Sequence, residues 1–155
     1  MKLSGWRIVH ERHTAQAFSG EGARLYGGRW NSAGVAVVYT AGSRALAALE
    51  MLVHLDSPRV LKRYVLRRVE FDERLLRKLE PGEIPSDWRE NPPPRSTQAI
   101  GDKWIKGAGS AVFRVPSVVV PEEWNYLLNP AHPDFDKVEI AEPAKFDFDP
   151  RLGRG

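Results

Sequence analysis

The 155-residue chain contains no cysteine. That absence excludes a disulfide framework, thiolate catalysis and cysteine-ligated zinc. Histidine is scarce as well: His10, His13, His54 and His132 are the four, and no two have the i, i+4 spacing of a zincin helix. No metal is therefore expected. No apolar run approaches the roughly 20 residues of a membrane helix, and the N-terminal MKLSGWRIVHERH lacks the apolar stretch of a signal peptide. A cytoplasmic location is expected. Internal repeats are missing, and the short Asn91-Pro92-Pro93-Pro94 run is the extent of low complexity. What remains, 42% hydrophobic and 28% charged, has the balance of one globular domain spanning residues 1–155.

The net charge of +3 is unevenly distributed. Residues 1–78 carry 14 basic and 7 acidic side chains, whereas residues 79–155 carry 9 and 13. A basic half steers anions, nucleic acid included. Much of that excess, Arg67, Arg68, Arg74, Arg77 and Lys78, reads as a solvated face.

Periodicity and turn residues predict strands at Trp6–His10, Val35–Thr40, Val60–Phe71, Ala111–Val120, Val138–Ile140 and Lys145–Phe148. Pro116 marks the Ala111–Val120 strand as edge or bulged. Ser43 can cap a helix running to His54 or Leu55, where Pro58 limits extension. A short helix opens at Asp72, and another spans Ser96–Lys106 despite Gly101. Residues 11–28, with Gly20, Gly22, Gly27 and Gly28 near their end, read as a long exposed loop. Strands dominate without regular βαβ alternation, which gives an α+β fold.

Within the Ser43 helix, Leu46, Leu49, Glu50 and Val53 share a stripe that should face the core. A carboxylate there needs hydrogen-bond donors or a cation. Two readings stand open: a Glu that locks the helix to the sheet through a buried Arg, or a functional carboxylate. His54 lies one turn further on the same side. In Tyr26-Gly27-Gly28-Arg29-Trp30-Asn31, paired glycines let the backbone approach a ligand, and Arg29 offers a fork suited to phosphate. Neither GxGxxG nor GxxxxGK[ST] is present, and a turn with a surface Arg reads equally well. Tyr39, at a strand end, can stack on a heterocycle or pack across strands. Ser117 has no GxSxG elbow and reads as a hydrogen-bonding group rather than a nucleophile.

Taken in order, GGRWN (27–31), VVYT (37–40), ALAALE (45–50) and VFRVPSVVVPEEWNYLLNPAHP (112–133) resemble the RES domain family of bacterial toxins. The likeness covers about residues 5–148 and leaves the tail after Asp149 outside. The Arg, Glu and Ser that name the family match Arg29, Glu50 and Ser117; its active-site tyrosine matches Tyr39. His54 and Asn129 fall where polar pocket residues occur, and Gly28 belongs to the same pocket.

The resemblance implies a fold like the ADP-ribosyltransferase toxins, with NAD⁺ as substrate and no further cofactor. The nicotinamide–ribose bond would be cleaved by hydrolysis or phosphorolysis, or ADP-ribose transferred to a protein. Glu50 would stabilise the ribosyl cation and accept the 2′-OH, and Arg29 would hold the pyrophosphate or ribose. Tyr39 would stack on nicotinamide, and Ser117 would bind its carboxamide or steady Glu50, with His54 behind them. The implied partner is an Xre-type helix-turn-helix antitoxin whose C-terminal tail blocks the cleft, so that DNA is reached only through it. The 11–28 and Asn91–Arg95 loops are expected at the opening. Two other classes compete with this reading. A nucleic-acid-directed toxin draws on the basic half and five Trp, but the aromatics form no platform interleaved with Lys and Arg. An inactive interaction module would not require Arg29, Tyr39, Glu50 and Ser117 together.

Overall fold

In the computed structural model the described residues are 1–55 and 61–153. They form β1 (Lys2–His10), α1 (Glu21–Tyr26), β2 (Val38–Ala41), α2 (Arg44–Val53), β3 (Tyr64–Asp72), β4 (Leu76–Lys78), α3 (Arg95–Lys106), β5 (Val112–Pro116), β6 (Trp124–Leu128), β7 (Glu139–Ile140) and β8 (Ala144–Phe146). The strands join in one mixed sheet of order β4-β5-β6-β2-β1-β3-β7, with β8 also on β3. β4 and β5 pair in parallel across the α3 crossover, and the other pairs are antiparallel. The α+β expectation holds.

The sheet is nearly two sheets. β1 pairs with β3 along its whole length, from Lys2 opposite Asp72 to His10 opposite Tyr64. β2 pairs with β6 from Val38 to Ala41. Between β1 and β2 the register holds at Trp6 opposite Ala41 alone. Close approach there depends on Gly5, where an added Cβ would lie 2.4 Å from Thr40 Oγ1. Beyond that point each strand stays with its other neighbour, so the two diverge and leave an opening beneath α2.

Three apolar clusters hold this arrangement. Val38, Val69, Phe71, Val112 and Leu128 fill one. Trp30, Trp104, Phe113, Val115 and Leu127 pack α3 onto β5 and β6. Ile8, Ala41, Leu46, Ala47, Tyr64 and Phe148 pack α2 onto β1 and β3. Burial of such side chains contributes roughly 1.5–3 kcal/mol each.

Several predicted elements differ. The 11–28 loop is a 3-10 turn over Glu11–Gln16 followed by α1, because His10 and Ser19 side chains accept the amides of Arg12 and Glu21 and start both turns. Asp72 caps a single 3-10 turn, Glu73–Leu75; the chain then becomes β4 because β5 offers a partner. β5 ends at Pro116 and is internal, not an edge, since β4 pairs only with Val112–Arg114 and never reaches the proline. β6 is an addition to the predicted strands. β3 begins at Tyr64; Val60, the start of the predicted strand, and Pro58 lie outside the described residues. Of the basic side chains read as solvated, Arg67 is half-buried and donates to Thr14 across the ring of Phe18.

Candidate active site

The opening between β1 and β2 is a cavity of about 290 Å³ lined by Trp6, Arg7, Ile8, Val9, Tyr39, Thr40, Ala41, Ala47, Glu50, Met51, His54 and Asn125. Its roof is α2, started as expected by the Ser43 hydroxyl accepting the Leu46 amide. The face of α2 is rotated from the expected stripe. Leu46 and Ala47 enter the core, while Leu49 and Val53 are 42% and 59% exposed. Ala47, Glu50, Met51 and His54, three or four residues apart, turn toward the cavity, because the helix sits over the strand gap rather than over a closed sheet.

Glu50 is held from outside its own helix. Ser117, completely buried just after β5, donates its hydroxyl to Glu50 Oε1 at 2.7 Å. The same Oγ accepts the amides of Val119 and Val120, each at 3.1 Å. The single proton of the hydroxyl is thereby aimed at the carboxylate. The lock through a buried Arg is not found among the described residues; the partner of Glu50 is a serine.

Arg7 is the residue that sequence reasoning missed. It rises from β1 into the strand gap and donates from Nη1 to the Tyr39 carbonyl at 3.0 Å. Its Nε is buried without a partner, and among the described residues it has no carboxylate partner. Burial lowers its pKa from the ordinary arginine value, although a guanidinium this basic stays charged. Arg7 is thus a partly buried cation whose charge no carboxylate offsets among the described residues, a group suited to an anion. The signal available was a single Arg in a short apolar strand.

Tyr39 faces the cavity with a half-buried ring, while its phenol is sealed inside. The hydroxyl donates to Asn31 Oδ1 at 2.6 Å and accepts the Trp30 amide at 3.0 Å. Burial pushes this phenol far above its ordinary value. Asn31, completely buried, gives its amide protons to the Ala23, Ser32 and Val35 carbonyls. Gly28 is required here, since a Cβ would lie 2.8 Å from the Tyr39 hydroxyl oxygen.

Arg29 lies outside the cavity lining. Its Nη1 donates to the Trp88 carbonyl at 3.0 Å and to that of Glu90, and Nη2 donates to Asn91 Oδ1 at 2.6 Å. Burial lowers its pKa, against the pull of Tyr39 and Glu50, the latter near enough to be felt electrostatically. α3 fixes the backbone: Thr97 donates to the Arg29 carbonyl, Gln98 to the Gly28 carbonyl, and Asp102 accepts from Ser32. Gly101 is required in α3, because a Cβ there would fall 1.5 Å from the Trp30 carbonyl oxygen. His54 caps the C-terminal end of α2 at the cavity edge, and its ring makes no hydrogen bond among the described residues. Asn129 is not part of the lining; its side chain accepts the Ala131 amide, and Asn125, at the other end of β6, faces the cavity instead. Among the described residues no cluster of three or more His, Asp or Glu could hold a metal ion, and no helix is long and apolar enough to cross a membrane.

This fold is shared with a solved toxin. The crystal structure of the M. tuberculosis MbcT–MbcA toxin–antitoxin complex matches with a TM-score of 0.75 over 98% of this chain and 87% of that one, at 18% identity. The likeness at that identity concerns the fold alone, and the expected α+β class is the one found. A family model described as the RES domain matches residues 4–149, and the chain belongs to that family. It is 43% identical over 160 residues to the "Prs ADP-ribosylating toxin" of Sphingobium sp. (strain YBL2), covering 99% of each chain. It is 41% identical over 148 residues to "Toxin Res" of Yersinia enterocolitica, covering 95% of this chain and 97% of that one.

Proposed function

We propose that the protein is the toxin of a toxin–antitoxin pair and cleaves the nicotinamide–ribose bond of NAD⁺ in the β1–β2 cavity. The observation that carries this reading is the pairing of opposites in one small space. A carboxylate, Glu50, is oriented by Ser117 on one wall, and a half-buried cation with no carboxylate partner among the described residues, Arg7, stands on another. A dinucleotide with a cationic glycosidic centre and an anionic pyrophosphate presents the complementary charges.

Breaking the C1′–N bond leaves its electron pair on the nicotinamide nitrogen, which becomes neutral and needs no proton. The ribose is left as an oxocarbenium-like cation, and catalysis consists chiefly of fixed negative charge beside it. Glu50 supplies that charge and accepts the ribose 2′-OH. Ser117 keeps the carboxylate from rotating away, so that little reorganisation is needed at the transition state. Tyr39 offers its ring face to nicotinamide while Asn31 holds its hydroxyl. Arg7, and Arg29 from the outer rim, receive the phosphates. The incoming acceptor gives a lone pair to C1′ and loses a proton to solvent or to Glu50. Water gives hydrolysis and inorganic phosphate gives phosphorolysis.

Transfer of ADP-ribose to a protein is a second reading, favoured by the name of the Sphingobium relative. The MbcT–MbcA complex supports an antitoxin partner. An Xre-type antitoxin could place its C-terminal carboxylate against the same arginines, closing the cavity in the cytoplasm and reaching DNA on the toxin's behalf. The deciding experiment follows NAD⁺ consumption by the purified chain beside Glu50→Gln, with and without phosphate, and analyses products. Loss of NAD⁺ that vanishes in the variant supports the reading, and nicotinamide with ADP-ribose or its phosphorylated form identifies the acceptor. Full turnover by Glu50→Gln would refute the role of Glu50. NAD⁺ loss that requires an added acceptor protein, with labelled ADP-ribose appearing on that protein and nicotinamide released, would establish transfer.

A further inference from the structure

Arg29 is oriented by groups that leave its charge intact. Its acceptors are two backbone carbonyls, of Trp88 and Glu90, and one side-chain amide oxygen, that of Asn91. All three are neutral. Glu90 contributes its backbone carbonyl rather than its carboxylate, and no acid pairs with Arg29 among the described residues. Three neutral acceptors hold the guanidinium while its full positive charge remains available to a ligand, whereas one carboxylate would cancel much of it.

The segment that supplies these acceptors is tied down on both sides. Ser96 donates to Asp87 before it, and Arg89 donates to the Val118 carbonyl, one residue from Ser117. The Trp88–Asn91 loop thus bridges the strand-end loop that steadies Glu50 and the loop that carries Arg29.

Resting on the reading of the site as an NAD⁺ cavity, we propose that Asn91 is a positioning residue for substrate binding. It fixes the Arg29 guanidinium, which lies outside the cavity lining but near enough to Glu50 to be felt electrostatically, as an un-neutralised cation for the pyrophosphate. Its neutrality is the functional property, not merely its hydrogen bond.

Asp is nearly isosteric with Asn and keeps the acceptor oxygen, so Asn91→Asp separates the two properties. If the bond mattered only for holding the loop, Asp would serve as well or better, since a charged acceptor strengthens it. If neutrality matters, Asp is worse than Ala. The test measures NAD⁺ affinity by calorimetry in the turnover-blocked Glu50→Gln protein, alone and combined with Asn91→Asp, Asn91→Ala or Arg29→Ala, with melting temperatures recorded in parallel. The expected order is a loss of about tenfold or more for Asp and about threefold for Ala, with the Asp protein melting no lower than its parent. Raising the salt concentration should narrow the gap between Asp and Ala. Equal affinities for Asp and Ala, or weaker binding for Ala, overturn the proposal while leaving the NAD⁺ reading in place. An unchanged affinity in Arg29→Ala overturns it too and removes Arg29 from the binding site. No NAD⁺ binding by Glu50→Gln itself, in folded protein, overturns both the proposal and the reading beneath it.

Discussion

The Ser117 hydroxyl lies 2.7 Å from Glu50 Oε1 and joins positions 67 residues apart. Ser117 accepts from the amides of Val119 and Val120, which leaves its one proton for the carboxylate. The loop after β5 is therefore folded around the same oxygen that orients the acid on α2. In Ser117→Ala these two amides lose their acceptor and Glu50 loses its donor. Stability should fall by about 1–3 kcal/mol, the cost of leaving buried groups unpaired. NAD⁺ turnover should fall by about 10²-fold with a much smaller change in KM, because orientation counts most in the transition state. Urea unfolding and steady-state kinetics on one preparation check both; turnover equal to the parent would remove Ser117 from catalysis.

Tyr39 couples the cavity wall to the glycine loop through a buried phenol. Tyr39→Phe leaves Asn31 Oδ1 and the Trp30 amide unpaired, and at neutral pH should cost about 1–3 kcal/mol. At high pH the comparison changes. Burial raises the phenol above its ordinary value, so above about pH 10 the unfolded chain releases a proton that the folded chain retains. Stability of the parent then falls as pH rises. The Tyr39→Phe chain has no such proton to release, and its stability should decline less steeply between about pH 9 and pH 11. Urea unfolding at several pH values reads the two slopes, and parallel curves would count against a sealed phenol.

Asp102 anchors the loop from the α3 side. Burial alone would raise its carboxyl pKa, but Ser32, through hydroxyl and amide, and Arg95 outweigh it and hold the group below its ordinary value. A depressed acid contributes stability above its unfolded pKa and loses it as pH falls through the folded one. Acid unfolding should therefore steepen below about pH 4, the range where a free Asp takes its proton. Asp102→Asn should be less stable at neutral pH and lose less on acidification. Acid titrations followed by circular dichroism compare the two, and an unchanged acid midpoint would deny Asp102 this part.

What the sequence made legible was local. The α2 start at Ser43, the strand read at Val35–Thr40, which forms only from Val38 and runs to Ala41, and the Ser96–Lys106 helix rest on capping and periodicity, which act within a few residues. Glu50 stands out because a carboxylate in an apolar helix demands an explanation. The face it occupies is not legible in the same way, since Leu49 and Val53 look as apolar as Leu46 until the strand gap decides which side is covered. β6 is hidden by its brevity between Pro121 and Asn129, although Trp124, Tyr126 and two leucines between turn formers are a usable signal. Arg7 offers only the faint signal of a lone Arg in an apolar strand, because its significance comes from β1 parting from β2, a property of pairing across the chain.

Arg7 gives the sharpest separation of stability from function. Its Nε is sealed without a partner, and its charge has no counterion among the described residues. A partly buried charge in that state adds little to folding, since even fully buried ion pairs can be replaced by apolar groups of similar volume without loss of stability. Arg7→Met keeps much of the side-chain length and removes the charge, losing the bond to the Tyr39 carbonyl. The variant should melt at or above the parent temperature, while NAD⁺ affinity falls by about 10²-fold, as expected when a pyrophosphate loses a charge-assisted partner. Arg7→Lys should recover part of the affinity without matching the parent, because an ammonium lacks the planar fork. Differential scanning fluorimetry beside calorimetric binding tests the pair. A destabilised Arg7→Met protein with normal affinity would make Arg7 a structural bridge between the parted strands and return the phosphate to Arg29 alone.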